Sequence, residues 1–161
     1  MKKYRWLIEI SLIILIILAV RAWTQRDIIS GAAPNINAAM LNGQLFELYQ
    51  DKRRPILLHF WATWCPVCKF EQSNIENISK DHPVVTIAMR SGSDHELKSY
   101  MQQEKLSYQV INDQQGELSQ KYNIKGVPVS LIINHDNKIE FSEVGYSTEL
   151  GLRLRLWWAG Q

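Results

Sequence analysis

Three apolar runs too short for helices punctuate the chain, at residues 55 to 61, 84 to 89 and 129 to 133. Runs of this length, bounded by charged or turn residues, read as strands buried on both faces. Between the first two the spacing turns helical. Residues 66 to about 80 place Val67, Phe70, Ile75 and Ile78 on one face about 140° wide. Ser93-Asp94-His95-Glu96 has the form of a capping box opening a helix to about residue 105. Residues 108 to 111 read as a strand, 113 to 116 as a turn and 117 to 122 as a short helix. The run at 129 to 133 pairs antiparallel with 138 to 141 across His135-Asp136-Asn137. Ser147 is the expected cap of a final helix carrying Leu150, Leu152, Leu154, Leu156, Trp157 and Trp158. Ahead of the first strand, Asn42-Gly43 marks a hairpin within residues 35 to 49, and the charged turn 51 to 54 follows it.

The apolar segment at residues 6 to 20 has a different character. It follows Lys2, Lys3 and Arg5, is interrupted by Glu9 and Ser11, and is closed by Arg21. Its unbroken core, 12 to 20, is short for a spanning helix, which needs ~20 mostly apolar residues. Counted from Trp6 to Trp23 it nears that length, with a tryptophan at each edge suited to the membrane interface. The expectation is a single-pass inner-membrane anchor over residues 1–23, with the rest of the chain in the periplasm. A cleaved signal peptide is the alternative. Against it, Ala19-Val20-Arg21 is a poor cleavage site and Ser30-Gly31-Ala32 comes late. Residues 24–34, polar and rich in small side chains, then form a tether, and 35–161 one domain. The chain carries a net +2, but without Lys2, Lys3, Arg5, Arg21 and Glu9 the remainder is slightly negative. Its basic character belongs to the anchor, so no nucleic-acid surface is expected.

Candidate chemistry centres on two cysteines, Cys65 and Cys68, in the run Trp-Ala-Thr-Trp-Cys-Pro-Val-Cys. Thiols two residues apart can close and reopen a small disulfide ring, a two-electron couple. Cys65 falls at a strand-to-helix junction near the N-cap, with Pro66 at the first helical position, where its missing N–H costs nothing. Free N–H groups of the first turn and the helix dipole favour a thiolate there. The pKa of Cys65 should then fall from ~8.5 into the range of roughly 3.5–7.5. Cys65 is the expected exposed nucleophile and Cys68, one turn inward, the resolving thiol. A zinc site needs about four ligands, and no second CxxC or histidine pair is present, so no metal is expected. Covalent haem would need histidine where Lys69 stands. A purely structural disulfide across so short a loop would constrain little of the unfolded chain. The expected redox group is the Cys65–Cys68 disulfide itself, with no further cofactor, in a compartment where disulfides persist.

These residues resemble the thioredoxin superfamily. Gly126-Val127-Pro128, before the strand at 129 to 133, resembles that family's cis-proline loop, which faces the CxxC. The resemblance implies that Trp64, Pro66, Val67, Val127 and Pro128 meet the substrate peptide. The hairpin at 35 to 49, the Phe-Trp-Ala-Thr-Trp-Cys run and the membrane tether resemble the TlpA branch. Within it, Cys-Pro-Val-Cys is similar to the suppressor-of-copper-sensitivity D (ScsD) type. The implied fold is α/β and thioredoxin-like: a central mixed sheet flanked by helices, with an N-terminal β-hairpin extension and a membrane anchor. One departure matters. Cytochrome-maturation reductases of this branch carry Gly-Val-x-Gly-x-Pro-Glu-Thr where this chain has Lys125-Gly126-Val127-Pro128-Val129-Ser130, which weakens the case for an apocytochrome substrate.

Two ionisable residues accompany the thiols. Glu71, three residues after Cys68, falls within the apolar arc of its helix, where a carboxylate is unfavourable without a partner or water. TlpA-like reductases resemble this chain in placing a glutamate at that offset. It reads either as a proton relay for Cys68 with a raised pKa or as a side chain reaching solvent. His59, six residues before Cys65 on the first strand, reads either as a hydrogen-bonded core residue or as a group tuning Cys68. The expected function is an exported, membrane-anchored thiol:disulfide oxidoreductase acting on protein disulfides or thiols. It is expected to run as a reductase recharged by a membrane electron carrier of the DsbD/ScsB type. A disulfide-forming oxidase and a copper-binding module in copper tolerance are the alternatives. The C-terminal tryptophans with Arg153 and Arg155 read as part of a closing helix packed on the sheet, or as a partner or membrane contact.

Overall fold

The apolar runs become the middle of a six-stranded mixed sheet. The computed structural model describes residues 6, 9–13, 15–16 and 29–161. The rest of the predicted anchor, and the tether as far as residue 28, lie outside the described residues. In chain order the elements are β1 (Gly31–Ala32), β2 (Asn37–Ala39), β3 (Leu45–Glu47), β4 (Ile56–Trp61), α1 (Pro66–Ser79) and β5 (Val84–Met89). Then come α2 (Asp94–Gln103), β6 (Gln109–Asp113), α3 (Glu117–Lys121), β7 (Val129–Ile133), β8 (Lys138–Val144) and α4 (Glu149–Ala159). The sheet order is β1-β8-β7-β4-β5-β6, with β2 and β3 paired apart from it. β4, β5 and β6 run parallel, because a helix returns the chain between each pair, while β7 runs antiparallel to β4 and β8 to β7. Every residue of β4, β5 and β7 is buried, as near-continuous apolar runs covered on both faces require. The fold is α/β and thioredoxin-like.

Alternation along β4 sorts the core into two layers. Ile56, Leu58 and Phe60 face a layer holding Phe46, Leu48 and Tyr122. Leu57 and Trp61 face the other, with Cys65, Cys68, Ile75, Ile78, Leu152 and Leu156. Helices α1 and α4 therefore lie on the cysteine side.

Several sequence expectations shift. The sheet begins at Gly31, inside the stretch read as tether, because β1 pairs with β8 and Ala33 is buried. The hairpin turn is wider than two residues: β2 and β3 pair only as far as Ala39 and Leu45, and Met40 N–H donates to the Gln44 carbonyl at 2.8 Å. Gly43 sits at φ 85°, a left-handed conformation that favours glycine. The capping box of α2 forms as expected, Ser93 and Glu96 bonding each other's backbone. Helix α4 is capped by Thr148, whose hydroxyl accepts from Gly151 N–H, and not by Ser147. The amide of Ser147 is turned instead towards Glu71. Among the described residues no helix is long and apolar enough to cross a membrane.

Candidate active site

Cys65 stands where β4 gives way to α1. It is the N-cap of that helix, with extended backbone, and its Sγ accepts the Cys68 N–H at 3.1 Å. Pro66 occupies the first turn, as its fixed φ and missing donor allow. Cys65 and Cys68 are joined as a disulfide. Cys65 is less open than the sequence suggested: it is 6% exposed, against 1% for Cys68. Val127 explains the difference, since its carbonyl oxygen lies 3.6 Å from Cys65 Sγ and its side chain packs into the same cluster. Cys65 is still the outer of the two sulfurs.

The surroundings of the disulfide come from three loops. The Val127–Pro128 peptide is cis, and the Pro128 carbonyl accepts from Gly145 N–H at 2.9 Å, which joins this loop to the end of β8. Pro128 is buried and Val127 half-buried. Trp64 is exposed, and its indole N–H donates to the Arg90 carbonyl at 3.1 Å, while Thr63 N–H donates to Ser91 Oγ at 3.0 Å. The loop after β5 thereby fixes the approach to the cysteines. Pro66 and Val67 are exposed beside them. All five residues expected to meet a substrate thus lie around the disulfide, four of them open in some measure and Pro128 beneath.

Helix α1 turns a different face inward than its apolar pattern suggested. Cys68, Glu71, Gln72, Ile75 and Ile78 are buried, whereas Val67 is 43% exposed and Phe70 78% exposed. The buried face follows Cys68, because the disulfide must close against the sheet. Glu71 thus sits within the buried stripe, one turn from Cys68, a spacing that places the two side chains side by side. It has no exposed surface. Its Oε1 accepts the Ser147 N–H at 3.1 Å, and its Oε2 is buried without a hydrogen-bond partner. Burial pushes its pKa up to about 7, the Ser147 amide opposing the shift. The reading in which Glu71 reaches solvent is excluded by this burial. Ser147 lies 76 residues away, and nothing local tied it to Glu71.

His59 is 2% exposed and its Nδ1 lies 2.9 Å from Ser130 Oγ, its register partner on β7. Burial lowers its pKa to about 3, so the ring is neutral near neutral pH. It has the hydrogen-bonded core setting that was one of its two readings. Among the described residues no group of three or more His, Cys, Asp or Glu is arranged to hold a metal ion.

The chain as a whole is similar to known proteins in sequence and in fold. Residues 30–152 match the Redoxin family. A thioredoxin-like protein of Haemophilus influenzae is 26% identical over 94% of this chain and 92% of its own length. The thiol-disulfide oxidoreductase ResA of Bacillus thuringiensis is 31% identical, over 66% of this chain and 64% of its own. The crystal structure of StoA from Bacillus subtilis superposes with a TM-score of 0.65 at 26% identity, covering 76% of this chain and 96% of that one. The chain belongs to the Redoxin family and is a thiol-disulfide oxidoreductase of thioredoxin-like type.

Proposed function

We propose that the protein is an exported, membrane-tethered reductase of protein disulfides, in which Cys65 attacks and Cys68 resolves. The observation that carries the reading is the Cys65 Sγ at the N-cap of α1, accepting the Cys68 N–H at 3.1 Å. Once the disulfide is reduced, that amide and the dipole of α1 stabilise a thiolate at Cys65. The thiolate attacks one sulfur of a substrate disulfide. The substrate S–S bond breaks, a Cys65–substrate disulfide forms, and one substrate thiolate leaves. Cys68 then gives its proton to Glu71 and attacks Cys65 Sγ, closing the Cys65–Cys68 disulfide and releasing the second substrate thiolate. Two electrons pass to the substrate, and its two thiols take up the protons that Cys65 and Cys68 give up. Glu71 suits the relay because it is buried beside Cys68 and titrates near neutrality. Trp64, Pro66, Val67, Val127 and Pro128 hold the substrate chain. His59 is assigned to packing.

Residues 1–23 are read as the anchor and 24–34 as the tether, and a membrane dithiol carrier of the DsbD/ScsB type restores the reduced pair. Within the anchor, Trp6, Ile10, Leu12, Ile13, Leu15 and Ile16 are helical and 44–62% exposed. Exposed apolar side chains over more than half of a helix circumference suit a lipid surround. A structurally similar protein of Corynebacterium glutamicum is described as secreted, in keeping with export. The direction of electron flow is tested by acid-quenched alkylation of growing cells, which captures the state of Cys65 and Cys68. A mostly reduced pair is the expected result; a mostly oxidised pair would make the protein an oxidase.

A further inference from the structure

Helix α1 leaves one flank open beside the disulfide. Its opposite flank is tied to α2: Lys69 Nζ pairs with Glu104 at 2.7 Å, and the Gln72 amide donates to the Tyr100 hydroxyl at 2.7 Å. On the open flank Val67, Phe70 and Asn74 recur at i, i+3 and i+7, one continuous line. Phe70 is the most exposed large apolar side chain among the described residues, and it belongs to neither core layer. Packing therefore gives no reason for a phenylalanine at this position.

The open flank is part of the rim of the disulfide. The Asn74 amide donates to the Tyr146 hydroxyl at 3.3 Å and to the Ser147 carbonyl at 3.0 Å. Tyr146, more than half exposed, follows Gly145, whose N–H is held by the Pro128 carbonyl. Val67, Phe70 and Tyr146 thus border a ledge that joins the cis-proline loop to the start of α1, where Cys65 is the N-cap. None of the three, nor Asn74 between them, carries a charge. The reaction identifies what covers this ledge. A chain joined to Cys65 leaves it in two directions, and the ledge lies within reach of one. Phe70 is five residues past Cys65, about 7.5 Å along the helix axis. A residue two or three positions from the reacting cysteine lies roughly 7–10 Å along an extended chain.

We propose that Phe70 is a specificity-determining residue: it receives a large apolar side chain two or three positions from the substrate's reacting cysteine. The proposal rests on the reading above in which Cys65 carries the mixed disulfide. A charged side chain at that place would give up water with no partner on the ledge, so cysteines in apolar segments are preferred to cysteines flanked by charged or polar residues. Folded proteins bury such segments. Extended, incompletely folded chains present the cysteine and its apolar neighbour together, and they are the substrate class that fits. A second copy of the chain is the competing occupant.

The test uses the full chain, reduced, against disulfide-linked dimers of two short single-cysteine peptides. One carries leucine and the other serine at the second and third positions on both sides of the cysteine. Hydroxyethyl disulfide, which has no side chain to reach Phe70, supplies the reference rate for each variant. The parent is expected to reduce the leucine dimer about tenfold faster than the serine dimer, with the difference in KM. Phe70→Ser should bring the two rates together, and Phe70→Leu should keep most of the preference. Because Phe70 lies outside both core layers, an unchanged urea midpoint will certify the fold of each variant. A leucine preference that survives Phe70→Ser overturns the assignment. So does an equal loss on hydroxyethyl disulfide, which would place the effect in the cysteine chemistry. A parent that reduces all three disulfides without preference also overturns it and leaves the reductase reading standing. Failure to reduce any of them refutes that reading and the proposal with it. A dimer of the chain that Phe70→Ser dissociates would assign the ledge to a second copy, again overturning the proposal.

Discussion

Cys65→Ala abolishes disulfide exchange, with a loss on the order of 10³-fold or more, as expected when a covalent nucleophile is removed. Cys68→Ala has a different outcome. Its Cys65 still caps α1 and still accepts the backbone N–H of residue 68, because that bond uses the main chain and not the Cys68 thiol. Attack on a substrate disulfide proceeds, but no second thiol is present to release the product. The variant accumulates as a mixed disulfide, visible on non-reducing gels and by intact mass. The asymmetry follows from position: Cys65 is the outer sulfur beside the Val127 carbonyl, and Cys68 is enclosed on the buried face of α1. Equal trapping by the two single variants would remove the assignment of roles.

The second large effect is on stability, where two buried groups pull in opposite directions. Glu71 has its pKa raised from 4.5 to about 7 by burial. The folded state therefore holds its proton more tightly than the unfolded chain, and stability falls as pH rises from about 4.5 to about 7. The loss is complete above that window and is at most about 3 kcal/mol. His59 has its pKa lowered from 6.5 to about 3. Its contribution is fully present above pH 6.5 and is lost as pH falls towards 3, by at most about 5 kcal/mol. Between roughly pH 4.5 and 6.5 the two slopes oppose each other. Glu71→Gln should unmask the histidine slope, so that stability relative to the parent improves as pH rises from 4.5 to 7. His59→Phe should unmask the glutamate slope, at the pH-independent cost of about 1–3 kcal/mol for leaving Ser130 Oγ without its partner. Urea unfolding at half-unit pH intervals checks both. Parallel pH profiles in the parent and Glu71→Gln would remove Glu71 as a buried titrating group.

Much of this was written in local patterns. The buried strands at β4, β5 and β7 follow from near-continuous apolar runs, the start of α2 from a capping box, and the redox pair from Cys-Pro-Val-Cys at a strand-to-helix junction. What escaped was set by contacts distant in sequence. The inward face of α1 was misplaced because Phe70 is apolar and Glu71 is charged; the disulfide, which fixes Cys68 against the sheet, decides the rotation of the helix. The Ser147 amide that bonds Glu71 lies 76 residues along the chain. The Ser130 hydroxyl facing His59 depends on the antiparallel register of β4 and β7. The two-sided apolarity of α4 left its buried side undetermined, since leucines at alternate positions from 150 to 156 fit either face. A second cis peptide, Arg54–Pro55, carried no signal beyond the proline itself.

The proposed exchange requires Cys65 to carry a stabilised thiolate while Cys68 waits protonated and enclosed. It is tested most directly by the pH dependence of alkylation in the reduced protein, with each cysteine followed separately by peptide mass spectrometry after iodoacetamide pulses. The predicted result is that Cys65 reacts first, with a midpoint well below the ~8.5 of an ordinary thiol, while Cys68 stays largely unmodified until Cys65 is blocked or the fold is opened. Faster alkylation of Cys68, or a common midpoint near that of a free thiol at both positions, would contradict it.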